Sequence, residues 1–102
     1  MQGMCLDDTQ KSMKQDIESY VGKQIVVDTC SNWIYLGTLN QVSDTSLVLT
    51  DADAHDISDT DVSKEFYIFD SKTTGIKANR KQVFISLDFV VGFSAMEDIK
   101  EF

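Results

Sequence analysis

The stretch YLGTLNQVSDTSLVLTDAD, Tyr35 to Asp53, decides how this chain folds. It reads as two strands joined by a short turn, with a glycine inside the first strand and an acidic run at the exit. From Trp33 to Val42 the residues alternate. Trp33, Tyr35, Gly37 and Leu39 share one face, while Ile34, Leu36, Thr38 and Asn40 share the other. Both faces begin apolar, which predicts cover on both sides of the strand's first half. The tip SDTS, Ser43 to Ser46, is a polar turn, and Leu47–Thr50 returns as the next strand. Strands joined by so short a loop pair antiparallel. Glycine weakens a strand, so Gly37 needs a reason. A five-stranded sheet curling into a small barrel supplies one, since a glycine in mid-strand is a common place for the bend.

Outward from this hairpin, QIVVDT (Gln24 to Thr29) is a β-branched first strand, followed by turn chemistry in Cys30, Ser31 and Asn32. Upstream, Met13, Ile17, Tyr20 and Val21 fall on one helical stripe. The expectation is a helix over residues 9–21, with Asp7 or Asp8 as its cap and Gly22 as its end, behind a flexible lead over 1–8. A helix this short must dock on something to persist. Downstream, DADAHDISDTD (Asp51 to Asp61) carries five Asp and one His, and reads as a solvated acidic loop. Val62, Phe66, Phe69 and Thr73 then have helical spacing, with Thr60 or Asp61 to cap the start and Gly75 to end it. A strand over Glu65–Phe69 is the alternative, because FYIF has high β-propensity. A basic connection follows over 76–82, then two more strands, Val83–Leu87 and Phe89–Met96. The predicted fold is mainly β: one domain over 1–102, with an N-terminal helix and a strongly bent five-stranded antiparallel barrel over 24–96. An insertion separates the third and fourth strands.

Charge narrows the function. Seventeen Asp and Glu against nine Lys and Arg give a formal net charge of -8, a surface that repels phosphate backbones. A nucleic-acid role therefore needs a local basic patch, and the sequence offers one. Lys72, Lys77, Arg80 and Lys81 are four of the nine basic residues, with Asn79 among them and Tyr67 or Phe69 as stacking surfaces. The competing reading makes these lysines counter-charges to Asp51–Asp61, across the fold or between subunits.

No run approaches the roughly 20 apolar residues that span a bilayer, and the start lacks the basic and apolar regions of a signal peptide. The expectation is a cytoplasmic protein, not a membrane protein, with Cys5 and Cys30 as reduced thiols and a disulfide as the alternative. The acidic run does not fit a calcium loop. Starting at Asp51 or Asp53 puts Val62 or Lys64 at the closing position, and starting at Asp59 puts Lys64 where the glycine belongs. His55 is the only histidine, so no ordinary zinc set assembles, and it reads as a solvent-exposed turn residue. No nucleophile elbow, Walker loop or dinucleotide glycine pattern is present. The expectation is a protein that is not an enzyme and takes no metal or cofactor.

The order and spacing of these elements resembles the Sm/LSm family over residues 10–98. IESYVGK (Ile17 to Lys23) runs directly into QIVVDT, as family members begin. Gly37, Leu39 and Val42 hold their places in the family's first motif, and Leu47–Val48–Leu49 before Asp51–Ala52 matches its third strand. Ile85-Ser86-Leu87-Asp88-Phe89-Val90 stands for the second motif. The turn is one residue short, so Asp44 sits one step late and Ser46 takes the asparagine place, while Ser86-Leu87 replaces Arg-Gly. Family members that bind oligo-uridine hold each base with that asparagine and arginine, and serine and leucine are poor substitutes. The resemblance implies a homo-oligomeric ring of about five to seven copies, in which the fourth strand of one subunit pairs with the fifth of the next. Here those strands would present Val83, Phe84, Ile85, Phe89, Val91 and Phe93. The alternative is a monomer whose edges are covered by residues 62–71. The function expected is a non-catalytic interaction or scaffold module, with RNA binding through Lys72–Lys81 as the rival.

Overall fold

The computed structural model describes residues 14–59 and 63–100, and the sheet within them follows the predicted order. The lead over 1–8 and the predicted caps Asp7, Asp8, Thr60 and Asp61 lie outside the described residues. Helix α1 is seen over residues 14–18 and winds down through a turn to Gly22, whose φ of 96° is the left-handed conformation expected there. The Gly22 N–H donates to the Leu39 carbonyl at 2.8 Å, and the Leu39 N–H to Lys23 at 2.9 Å, so the exit of α1 is stitched onto the sheet. Ile17 is fully buried and Tyr20 packs beside it. Val21, expected on the same stripe, is exposed because the chain has left the helix by then.

Five antiparallel strands follow: β1 Gln24–Thr29, β2 Trp33–Val42, β3 Ser46–Asp56, β4 Arg80–Ser86 and β5 Val90–Ala95. Their order is β4-β3-β2-β1-β5, with every neighbouring pair antiparallel. The sheet is bent but not closed, a correction to the barrel expected from the sequence. The turn Leu87–Phe89 separates β4 from β5, and the Cys30 N–H donates to the Phe89 carbonyl at 2.8 Å, drawing the start of β5 to β1.

The bend has a specific origin. Between Leu36 and Thr38 the register against β3 slips, Leu36 facing Asp53 and Thr38 facing Thr50, so β3 carries an extra residue opposite Gly37. Asp51 stands in that bulge with φ 49°. A second slip between Leu39 and Gln41 places an extra residue on β2. Bulges increase local twist and turn a strand, and two of them within a few residues fold the sheet across itself.

The bend makes two cores. On the concave face Ile17, Ile25, Val27, Leu39, Leu47, Leu49 and Ile85 pack together. Fully burying such side chains stabilises by roughly 1.5–3 kcal/mol each. On the convex face Val26, Ile34 and Leu36 meet Ile68 of the insertion, which is helix α2, Lys64–Thr74, and not the alternative strand. Its N-cap is Ser63, whose hydroxyl accepts from the Phe66 N–H at 3.1 Å. Gly75 ends it as predicted, with φ 99° and its N–H on Ser71. The double-sided cover read from Ile34 and Leu36 is thus met from outside by α2. Among the described residues no helix is long and apolar enough to cross a membrane.

Candidate functional site

Among the described residues two strand edges are left unpaired, the outer edge of β4 and the outer edge of β5. An open edge displays a row of backbone donors and acceptors and is a natural template for another strand. Large apolar side chains stand along both. Phe84 on β4 is 66% exposed, Phe89 in the connecting turn 57%, and Val91 on β5 53%. The other three residues expected at an interface face inward: Ile85 is buried, and Val83 and Phe93 pack against the concave core. Phe93 meets the Tyr20 ring edge-on at 5.1 Å. A cleft of about 480 Å³ opens beside the β4 edge, walled by Trp33, Tyr35, Phe84 and Phe89.

At the tip of the sheet the two serines singled out by the sequence come together. Ser46 and Ser86 are paired across β3 and β4. Ser86 accepts from the Asp88 N–H at 3.2 Å, and the Ser43 hydroxyl accepts from the Thr45 and Ser46 N–H groups at 3.3 and 3.1 Å. Leu87 is buried, with its N–H on the Thr45 carbonyl at 2.9 Å. These hydroxyls serve the turns that carry them.

The predicted basic stretch is dispersed. Lys72 Nζ donates to the carbonyls of Glu97 (3.3 Å) and Ile99, holding α2 to the C-terminal segment. Lys77 forms an ion pair with Asp70 at 3.8 Å, so its counter-charge lies in the helix and not in Asp51–Asp61. Arg80, Lys81 and Gln82, expected in a connection, are exposed residues of β4 itself. Arg80 and Lys81 pair with no carboxylate among the described residues.

Asn79 is instead a structural residue. Its Oδ1 accepts from the Ala54 N–H at 3.0 Å, and its Nδ2 donates to the Ala54 carbonyl at 2.9 Å and to Asp53 Oδ1 at 3.1 Å. The side-chain amide thereby prolongs the β3–β4 ladder beyond the Ala52–Arg80 pair. Asp53 is only 7% exposed and also accepts the Tyr67 hydroxyl. Burial and the adjacent Asp53 carboxylate push the Tyr67 phenol above its usual range, so it stays a donor. Its ring stacks on His55 at 4.2 Å.

The acidic run is therefore corrected. Asp51 to Asp56 belong to β3, with Ala52, Asp53 and Ala54 buried, and His55 is a half-buried strand residue under α2. Tyr67, proposed as a stacking surface for bases, is occupied by His55 and Asp53. Among the described residues no three His, Cys, Asp or Glu side chains gather as a metal ion would require.

No family model and no curated protein matches the sequence. Solved structures do. An Sm protein of Pyrococcus abyssii, solved in complex with a uridine heptamer, aligns with a TM-score of 0.53 at 17% identity, over 79% of this chain and 93% of that one. A heptameric archaeal Sm protein aligns with a TM-score of 0.49 at 22% identity, over 82% and 96%. The strand order, the hairpin with its bent glycine strand and the first of these alignments agree: the chain has the Sm-like fold.

Proposed function

We propose that the protein is a non-catalytic assembly module, in which copies join edge to edge through β4 and β5 into a homo-oligomeric ring that scaffolds a partner. The observation carrying this reading is the pair of open edges with Phe84, Phe89 and Val91 exposed along them. Two large apolar side chains facing water on edge strands, with a third in the turn that joins them, are costly in a monomer and are the ordinary mark of a contact surface. Helix α2 does not protect them: Ile68 packs on the convex face over Val26, Ile34 and Leu36. Mass by light scattering at micromolar concentration tests the reading. A multiple of the chain mass is expected, and a monomer would remove the proposal.

RNA binding is the second reading, favoured by one observation. The Pyrococcus abyssii Sm protein was solved with a uridine heptamer, and here Arg80 and Lys81 stand exposed without carboxylate partners among the described residues. In this reading they replace the usual base pocket, where Ser46 and Ser86 provide no cation. Filter binding with uridine-rich RNA at low and moderate salt separates the two. Binding that falls steeply with salt, and is lost in Arg80→Glu with Lys81→Glu, supports RNA. Absence of binding at low salt leaves the scaffold alone.

A further inference from the structure

Beyond assembly, we propose that the cleft beside Trp33 is a docking site for an arginine side chain on a segment of a partner protein. The guanidinium lies on the Trp33 and Tyr35 rings and donates to the hydroxyls of Thr29 and Ser31. The site stands whether or not copies associate, since Trp33 and Tyr35 belong to the central strand β2 and not to an edge.

The walls are aromatic. Trp33, 39% exposed, and Tyr35 are two positions apart on one face of β2, with ring planes 24° from parallel and centroids 6.5 Å apart. Phe84 and Phe89 complete the four aromatic walls of the cleft, whose volume is about 480 Å³. Pockets of roughly 300–1,000 Å³ bury drug-sized ligands, so the space takes a long side chain together with its neighbouring backbone. Rings alone would accept any apolar group. Their faces are electron-rich, however, and attract cations, among side chains arginine most often.

The polar rim narrows the choice. Thr29 Oγ1 donates to the Trp33 carbonyl at 2.7 Å, Ser31 Oγ lies 2.7 Å from Thr29 Oγ1, and the Trp33 N–H donates to Ser31 Oγ at 3.1 Å. Each hydroxyl has a single hydrogen. With that of Thr29 on Trp33, the hydrogen between the two oxygens comes from Ser31. Both are thus spent within the turn, and each oxygen keeps a lone pair. The rim accepts and does not donate. Lysine and arginine carry donors and no acceptor, which suits it. Arginine fits better, because a planar guanidinium stacks on a ring while its edge still donates.

Charge agrees independently. None of the residues lining the cleft is charged. Asp56 stands directly opposite Trp33 across β2 and β3, and opposed residues share a face. The Ser58 hydroxyl and N–H donate to Asp56 at 2.7 and 2.9 Å and hold its carboxyl below the usual range, so it is ionised. Asp88 is exposed beside Phe89 in the turn Leu87–Phe89. The net charge of -8 adds a long-range attraction for a cationic partner.

Trp33 is the only tryptophan, so its emission reports on the cleft. The wild-type protein is titrated with a capped Gly-Arg-Gly peptide and with the same peptide carrying citrulline, which keeps the shape and loses the charge. A saturable change is expected with the arginine peptide, at least tenfold tighter than with citrulline and weakening as salt is raised. Tyr35→Leu, with its fold checked by circular dichroism, is expected to close most of the gap between the two peptides. Equal binding of both peptides, no saturable change, or tighter binding of a lysine peptide overturns the proposal. Emission that shifts with protein concentration and no longer responds to peptide assigns the cleft to a second copy and overturns it too. So does a uridine oligomer that saturates the emission where the arginine peptide does not. A monomeric mass removes the assembly reading and leaves this site untouched.

Discussion

At Gly37 the backbone of β2 passes the bulge in β3 so closely that a Cβ would sit 3.1 Å from the Ala52 Cα, the Ala52 Cβ and the Thr50 carbonyl. Two of those three atoms are backbone, and the bulge that holds them is fixed by Asp51 in the left-handed region. Replacing glycine by alanine in an extended strand would ordinarily stabilise by about 0.4–1 kcal/mol, through the unfolded chain. Here overpacking decides the sign, at a cost of roughly 1–3 kcal/mol. Gly37→Ala is expected to lower the urea midpoint with little change in slope. An unchanged or higher midpoint would show that the bulge can yield. The glycine was legible in the sequence as the site of a bend, but its immediate cause, the approach of Ala52, depends on a register slip that no single strand reveals.

Helix α2 is fastened as much by polar contacts as by apolar ones, since Ile68 and Ser71 are its only buried residues. Tyr67 bridges to Asp53 while Asn79 holds Asp53 from the other side. Tyr67→Phe leaves a nearly buried carboxylate with one donor fewer, a loss of about 1–3 kcal/mol. The variant should also change the alkaline limb of stability. The phenol is raised in the folded protein, first by burial and then by Asp53, so its contribution is complete below the ordinary tyrosine value near 10 and is lost as pH rises above it. Denaturation at pH 8 and pH 11 should show a steeper fall for the wild type than for Tyr67→Phe; parallel curves would reject the assignment. The same contacts explain what the sequence concealed. The spacing of Phe66, Phe69 and Thr73 and the terminal Gly75 let the helix be read locally. Its cap, however, is Ser63 in place of the expected Thr60 or Asp61, and the face it buries is that of Ile68 and Ser71, with Phe66 exposed. DADAH could not be read so, because aspartate disfavours strands, and Asp53 is accommodated only by Tyr67 and Asn79, 14 and 26 positions away.

For the whole molecule, the sequence disclosed the order of strands and the apolar character of β4 and β5, yet it gave no means of separating the inward side chains from the outward ones. Val83, Ile85 and Phe93 complete the concave core, whereas Phe84, Phe89 and Val91 remain outside it, a division set by strand parity and by the irregularity in β5 between Gly92 and Val90. If the outward set is the contact between copies, stability and assembly are linked. Association then removes folded monomer and raises the melting temperature with protein concentration. The wild type should melt several degrees higher when concentrated a hundredfold, since each tenfold gain in association is worth about 1.4 kcal/mol. Phe84→Glu tests whether the edge is responsible. The side chain is 66% exposed, so the substitution removes little from the monomer's own core, while it sets a charge where the partner's strand must pack. Its melting temperature should be independent of concentration and close to that of the dilute wild type. A wild type whose melting does not respond to concentration, or a Phe84→Glu protein that still does, would place the contact elsewhere on the surface.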